Sequence, residues 1–328
     1  MANEVLELLL HADGFLSGQA ISNQLGVSRA AVWKKVKALQ EAGYEIDSVT
    51  NRGYRLRACP DVLTQEQLRA ALGPHPWADQ IVLRETVDST NNLAKQLGAD
   101  GAPSGTVVMA NEQTGGRGRL GRSFSSKAGT GLYFSLLLRP DAAPDRLAAL
   151  TACVAVATCD AILEVCGVRP GIKWTNDLVL NGRKLSGILT ELSLEAEAGT
   201  VSYVVIGIGI NVNQKLEDFP PEVQPVATSL LMATGQKVQR AALAAALIRS
   251  LSRMAETYLT EKAVWIDRYR ADCLTIGREV QILRGEHAEP AHCDGVDEDA
   301  ALLVSYPDGR RERIFSGEVS VRALYGYV

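Results

Sequence analysis

Asn181-Gly182 stands between two apolar runs, Leu178-Val179-Leu180 and the segment from Arg183 to Leu189. Asn-Gly supplies two residues that tolerate positive φ, which a two-residue antiparallel turn demands, so the pair predicts a β-hairpin. That loop sets the register. Leu180 opposes Arg183, Val179 opposes Lys184 and, in a regular ladder, Asp177 opposes Ser186. Faces alternate along a strand, so Lys173, Thr175, Asp177, Lys184, Ser186 and Thr190 are expected on one side. Trp174, Leu178, Leu180, Leu185 and Leu189 fall on the other. Asp177 and Lys184 become diagonal neighbours, roughly 7–8 Å apart. Two readings stand open: a sheet with one wet side, or a site wall that holds an acid and a base at fixed separation.

The segments around the hairpin extend the same sheet. In Val201 to Asn213, the residues Val204, Ile206, Ile208, Ile210 and Val212 share one face, and Gly207, Gly209, Asn211 and Asn213 the other. Glycine weakens a strand and often marks a close approach by a ligand or a packed element. Thr106–Ala110 and Leu132–Leu138 read as strands, and Gln113-Thr114-Gly115-Gly116-Arg117-Gly118-Arg119-Leu120-Gly121-Arg122 lies between them. Gly116, Gly118 and Gly121 match the dinucleotide pattern GxGxxG. Ser123 to Gly131 is polar and unhelical, however, and a dinucleotide loop must open a helix. The loop reads instead as a flexible anion-binding segment, with Arg117, Arg119 and Arg122 supplying permanent charge. It is expected to be mobile without ligand. Upstream, Asp88-Ser89-Thr90-Asn91 follows a short strand and opens a helix. Its hydroxyls suit an N-cap, and also a polar ligand at the helix start.

The first sixty residues follow another pattern. Ser17 starts a helix over Gly18 to Leu25, Gly26-Val27 turns, and Ser28 caps a helix over Arg29 to Ala42. Val32, Val36 and Leu39 recur at helical spacing, while Arg29, Trp33 and Lys37 share another face. From Ser28 to Lys37 there are four bases and no acid. Tyr44–Val49 and Tyr54–Arg57 form a hairpin whose tip and return strand carry Arg52, Arg55 and Arg57. This is the order of a winged helix-turn-helix: a basic helix for the major groove and a basic wing for phosphates. Gln19, Asn23, Ser28, Arg29, Trp33, Lys34, Lys37 and Arg52 are the candidate DNA contacts, in a recognition region from Gly18 to Lys37 plus the wing.

The net charge of the 328 residues is −4, so DNA binding must come from a local patch. Met1–Leu10 holds Glu4 and Glu7 and no base, unlike a signal peptide. Leu147–Gly167 contains Asp160 and reads as a buried helix rather than a membrane span. The six cysteines, Cys59, Cys153, Cys159, Cys166, Cys273 and Cys293, have no paired spacing and read as reduced thiols of a cytoplasmic protein. His292 beside Cys293 is too little for a structural metal. Beyond residue 276, short strands at Glu279–Leu283, Ala301–Tyr306, Arg311–Phe315 and Val319–Leu324 predict a small β-barrel. The division expected is 1–60, 61–272 and 273–328.

Ser89-Thr90-Asn91, Gln113 with GRGRLGR at 116–122, KWTND at 173–177, RKLSGIL at 183–189 and GIGINVN at 207–213 together resemble the biotin–protein ligase family, in its bifunctional form that also represses the biotin operon. The resemblance implies an α+β chain: a winged helix-turn-helix, a central mixed-sheet ligase domain like class II synthetases, and a C-terminal SH3-like barrel. It implies synthesis of biotinyl-5′-AMP from biotin and ATP with Mg²⁺, then transfer to a lysine of the biotin carboxyl carrier protein of acetyl-CoA carboxylase. Operator DNA is the implied further partner, and a homodimer forms when biotinyl-AMP is bound. Ser89, Thr90, Asn91, Gln113, Arg117, Gly118, Arg119 and Lys184 are implied to bind biotin. Arg119, Arg122, Lys173, Asn176 and Asn211 are implied at the nucleotide. Lys184, Arg119 and Asp177 are the implied catalytic set, with Asp177 also the candidate Mg²⁺ ligand. Thr175 and Phe124 stand where the family usually has Pro and Trp. A lipoate–protein ligase of the same broad fold, and a biotin-sensing repressor without catalysis, are the competing readings.

Overall fold

The computed structural model describes residues 3–58, 60–195, 200–284, 287–315 and 320–323. Cys59 and the ends of the last expected strand, Val319 and Leu324, lie outside the described residues. The chain forms two compact units. The first holds Met1–His75 with Gln239–Ala245; the second holds Pro76–Val238 and Ala246–Val328.

The first unit contains α1 (Asn3–Leu10), α2 (Gly18–Leu25), α3 (Arg29–Glu41), β1 (Glu45–Val49), β2 (Gly53–Ala58) and α4 (Gln65–Leu72). Ser17 and Ser28 cap α2 and α3 through their hydroxyls, a contribution of about 1 kcal/mol each. Val32, Val36 and Leu39 bury against Val5, Leu6, Leu9 and Ile21. Leu16 pairs with Tyr54 through a single bridge beside the wing. The unit runs past the expected boundary at residue 60. Gln67, on α4, donates to the Tyr44 hydroxyl and to the Pro60 carbonyl, which ties α4 to the winged helix.

The second unit is built on β3 (Ile81–Val87), β4 (Thr106–Gln113), β5 (Gly131–Leu138), β6 (Gly171–Lys173), β7 (Asp177–Leu180), β8 (Arg183–Leu194) and β9 (Val201–Asn211). Their order is β3-β4-β5-β9-β8-β7-β6, with β3 and β4 parallel and the other pairs antiparallel. Helix α5 (Thr90–Ala99) covers one face, where Ala94 meets Val108, Leu137 and Val205. Helix α6 (Leu150–Cys166) is buried along most of its length, and its Thr151 hydroxyl bonds to that of Thr190. With the turn before it, the stretch Pro144–Cys166 is long and apolar enough to cross a membrane, but its burial is that of a core helix. Helices α7 (Leu230–Thr234), α8 (Arg240–Thr257) and α9 (Lys262–Asp272) follow.

β10 (Glu279–Arg284), β11 (His287–Val296), β12 (Leu302–Ser305), β13 (Arg311–Ile314) and β14 (Ser320–Ala323) form an antiparallel sheet in the order β13-β12-β11-β10-β14. The expected cut at 272 falls inside the second unit, and Trp174, ahead of the cut, bonds to two residues beyond it. Its backbone N–H donates to Thr275 and its indole N–H to Ala300. The thiols of Cys153, Cys159, Cys166, Cys273 and Cys293 are free.

Candidate active site and nucleic-acid interface

The hairpin has the expected turn, and then a bulge. Leu180 pairs with Arg183 and Val179 with Lys184, but Leu178 pairs with Ser186 and Asp177 with Gly187. Leu185 is the extra residue, and a bulge of this kind reverses the alternation beyond it. Ser186 and Thr190 therefore do not join Lys184 on the polar face. Ser186 is fully buried and Thr190 packs on α6. Gly187, Leu189 and Glu191 take the places beside Asp177 and Lys184. The lysine Nζ lies 2.6 Å from Asp177 Oδ1. Its backbone is held from the other side, with its N–H donating to Val226 and its carbonyl accepting from Thr228.

Across β8 and β9, Gly187 pairs with Gly209, and Leu189 with Gly207. A methyl group at Gly207 would lie 2.3 Å from the Asn91 amide oxygen, and one at Gly209 would lie 2.6 Å from the Phe124 ring. The glycines thus admit neighbours that any side chain would displace, and they form a smooth strip between two polar clusters.

At one end of the strip, Arg119 donates to Asn176 Oδ1 at 2.9 Å, and Asn176 Nδ2 donates to the Ile188 carbonyl. Burial lowers the Arg119 guanidinium from the ordinary arginine value, and the Asp177 charge opposes that shift. Lys184, Asp177 and Arg119 thus make one charged cluster. Lys173 pairs with Asp177 across β6 and β7. Asn211 is buried and donates to the Thr228 carbonyl, on the segment that also holds Lys184. Arg117 and Arg122 keep exposed side chains.

At the other end, Gln113 Oε1 accepts from the backbone N–H and hydroxyl of Thr90, and its Nε2 donates to Ser126. Ser89 stands at the N-cap position of α5, but its side chain makes no capping bond. Gln113 caps α5 in its place. Ser135 Oγ lies 2.8 Å from Thr90 Oγ1 and 2.6 Å from Asn91 Oδ1. Sequence reasoning missed Ser135, Ser126 and Glu191. Ser135 had a readable signal, as the one polar residue in the apolar strand Gly131–Leu138.

The arginine loop folds back on itself through backbone bonds. Phe124 N–H donates to Gly116, Gly118 N–H donates to Arg122, and Arg117 bridges Ser123. Among the described residues no group of three His, Cys, Asp or Glu is placed to hold a metal ion. The Asp177 carboxylate is engaged by Lys184. These donors, with the one carboxylate already paired to Lys184, do not fit a resident Mg²⁺.

In the first unit, Gln19, Asn23, Ser28, Arg29, Trp33, Lys34, Lys37 and Arg52, the residues expected to meet DNA, are all exposed. Lys37 Nζ sits 5.2 Å from the Trp33 ring centroid, and Gln19 bonds to Asn23. The wing is less basic than its sequence. Arg55 and Arg57 both donate to Asp47, which holds its carboxyl below the usual range, chiefly through the Arg55 bond. Arg52 stacks on Phe15.

A winged helix ahead of a mixed sheet, with a glycine strip between hydroxyls and paired charges, defines a DNA-binding regulator joined to an anion-handling enzyme. Residues 83–211 match the biotin/lipoate A/B protein ligase family, and residues 2–55 match an HTH domain. The bifunctional ligase/repressor BirA of Bacillus subtilis is 36% identical over 98% of this chain and 98% of its own length. That of Escherichia coli is 30% identical over 98% and 97%. The biotin protein ligase of Aquifex aeolicus, solved with biotin and ATP, superposes with a TM-score of 0.63 at 30% identity, over 74% of this chain and 98% of that one. The chain belongs to the biotin protein ligase family, in its bifunctional ligase/repressor form.

Proposed function

We propose that the protein activates biotin with MgATP to biotinyl-5′-AMP and transfers biotin to a lysine of a biotin carboxyl carrier protein. One observation carries this: the glycine strip joins a hydroxyl cluster to the Lys184–Asp177–Arg119 cluster. Biotin has a ureido head, an apolar body and a carboxylate tail, in the same order. Ser89, Thr90 and Gln113 take the head, with Asn91 behind them. Arg117, the Gly118 backbone, Arg119 and Lys184 take the tail.

A carboxylate oxygen of biotin attacks the α-phosphorus of ATP, and pyrophosphate leaves. Lys184 and Arg119 stabilise the charge that builds on phosphate oxygens, and Arg122, Lys173, Asn176 and Asn211 hold the nucleotide. The carrier lysine amine then attacks the acyl carbon and AMP leaves. Mg²⁺ arrives with ATP, where it keeps its phosphate and water ligands.

The winged helix supports a second role, repression of the biotin operon, with a homodimer as the operator-binding form once biotinyl-AMP is bound. The likeness of the central sheet to class II synthetases, an SH3-like closure of the C-terminal sheet and the functional division 1–60, 61–272 and 273–328 belong to this reading. So does a cytoplasmic location, supported by free buried thiols. The test is direct: protein, biotin and MgATP should release pyrophosphate and form biotinyl-AMP. Faster turnover with lipoate would make it a lipoate ligase; biotin binding without pyrophosphate would make it a sensor alone.

A further inference from the structure

Between Gln214 and Ser229 the chain leaves the central sheet and returns, and Ser229 Oγ closes the base by donating to the Gln214 carbonyl. The site uses the returning end. The Lys184 N–H donates to the Val226 carbonyl, the Thr228 N–H donates to the Lys184 carbonyl, and Asn211 Nδ2 donates to the Thr228 carbonyl. The backbone of Lys184 thus takes its place from residues 226–228, immediately before the bulge at Leu185.

The far part of the excursion is bonded mainly to itself. A single helical turn, Leu216–Asp218, leads into tight turns. There Val223 and Gln224 donate to the Pro220 carbonyl, and Val226 and Ala227 to that of Val223. Gln224 Nε2 donates to the Phe219 carbonyl. Among the described residues, one hydrogen bond joins residues 215–225 to the rest of the chain: Lys127 Nζ donates to Asp218 Oδ1. Asp218 Oδ2 accepts from the Lys215 N–H. Lys127, and after it the Lys215 N–H, hold the Asp218 carboxyl below the ordinary carboxylate value.

Lys127 has a firm base. Its carbonyl accepts from the hydroxyls of Thr130 and of the fully buried Tyr133. It follows Ser126, which accepts from Gln113 where the arginine loop rejoins the sheet. Phe219, beside Asp218, is buried too. Apolar burial holds a segment down without direction, whereas a bond between an ammonium and a carboxylate fixes it at one point.

We infer that Lys127 and Asp218 are positioning residues for adenylation: their pair fixes the 215–225 excursion and, through residues 226–228, the backbone of Lys184 and the amide of Asn211. The inference rests on the biotin-ligase reading and adds to it two residues that act only through others. Asp218 keeps 12% of its side-chain surface in water and Lys127 57%, so the pair stands between a buried bridge and an exposed one. A displaced Lys184 costs most where charge builds on phosphate, so the loss falls on kcat.

The experiment follows pyrophosphate release by the full chain with biotin and MgATP. The variants are Lys127→Met, Asp218→Asn, the two combined, Lys127→Arg and Glu217→Gln. Asn at 218 keeps an acceptor for the Lys215 N–H, so that change removes charge and little else. Each of the first two should lower kcat by about 3–10-fold, the scale of a half-exposed ion pair. KM for biotin should change by less than about twofold, since the cluster around Gln113 and Thr90 is untouched. The combined variant should be no slower than the slower single one, because two members of one pair share one effect. Lys127→Arg should keep most of the rate. Glu217→Gln, one residue from Asp218 and exposed, should keep all of it. Thermal melting is the folding control, and should Asp218→Asn fail to fold, Lys127→Met and Lys127→Arg decide. Unchanged kcat in the folded single variants, losses that multiply in the combined one, or a biotin KM that rises as much as kcat falls overturns the inference and leaves the ligase reading intact. A wild type that releases no pyrophosphate overturns both.

Discussion

Two stretches of this chain are rich in bases and free of acids, and the structure employs them in opposite ways. From Ser28 to Lys37, Arg29, Lys34 and Lys37 point their charges to solvent, and Lys35 pairs with Glu4. From Arg117 to Arg122, Arg119 is drawn inward onto Asn176 while Arg117 and Arg122 stay in water. Exposed cations act together through a field that salt screens; a buried cation with a fixed partner acts at one point. Similar composition therefore supports two chemistries: tracking a polyanion, and stabilising one transition state.

The strongest challenge to this contrast is Lys184→Ala. Removing a preorganised cation should lower adenylation by about 10²–10³-fold. Arg183, exposed and on the opposite face, should tolerate Ala with little change in pyrophosphate release. A larger effect at Arg183 would mean that the register is wrong and the charged cluster is misassigned.

Charge reversal at Lys34 and Lys37 comes next. Operator affinity should drop, and the slope of log affinity against log salt should shrink by about 1 for each phosphate that is no longer neutralised. Adenylation should be untouched. Arg119→Ala should do the reverse, weakening adenylation by about 10–100-fold, as expected for a charged hydrogen bond, and leaving the salt slope of DNA binding unchanged. If Arg119→Ala altered the DNA salt slope, the two basic stretches would not be separate devices.

The smallest effect belongs to Asp47. Its folded pKa lies below the ordinary carboxylate value, through its bonds to Arg55 and Arg57. A depressed pKa adds stability that is present above the unfolded value of about 4 and disappears as pH falls through the folded value. Melting temperatures of wild type and Asp47→Asn should differ modestly at neutral pH and converge as pH falls through the folded value. The variant should also bind DNA slightly better, since two wing arginines are released.

Much of this was legible in the sequence, wherever a local rule decides. Asn181-Gly182 announced its turn, Ser17 and Ser28 their caps, and the spacing of Val32, Val36 and Leu39 their buried face. The errors arose where a distant residue decides. Leu185 bears no mark of a bulge, although the strand there pairs with β7 on one side and bridges Ala227 on the other. Ser89 has the chemistry of a cap but yields the task to Gln113, over twenty residues away. The wing's arginines look free until the hairpin register sets Asp47 opposite Arg55. The C-terminal strands were visible as strands, but Trp174, which binds their sheet to the ligase sheet, was read only as part of an apolar face.

The bulge at Leu185 also gives β8 something like a reading frame. Beyond it, every odd-numbered position from Gly187 to Glu191 faces the glycine strip, and every even one from Ser186 to Thr190 faces the core. Deleting or inserting one residue between Leu185 and Glu191 would exchange the two sets at once, sending Ile188 into the strip and Glu191 toward α6. A change of two residues would keep the phase and only shift the strand along its neighbours. Divergence of this chain should thus tolerate many substitutions in β8, yet treat single-residue insertions and deletions there as frameshifts.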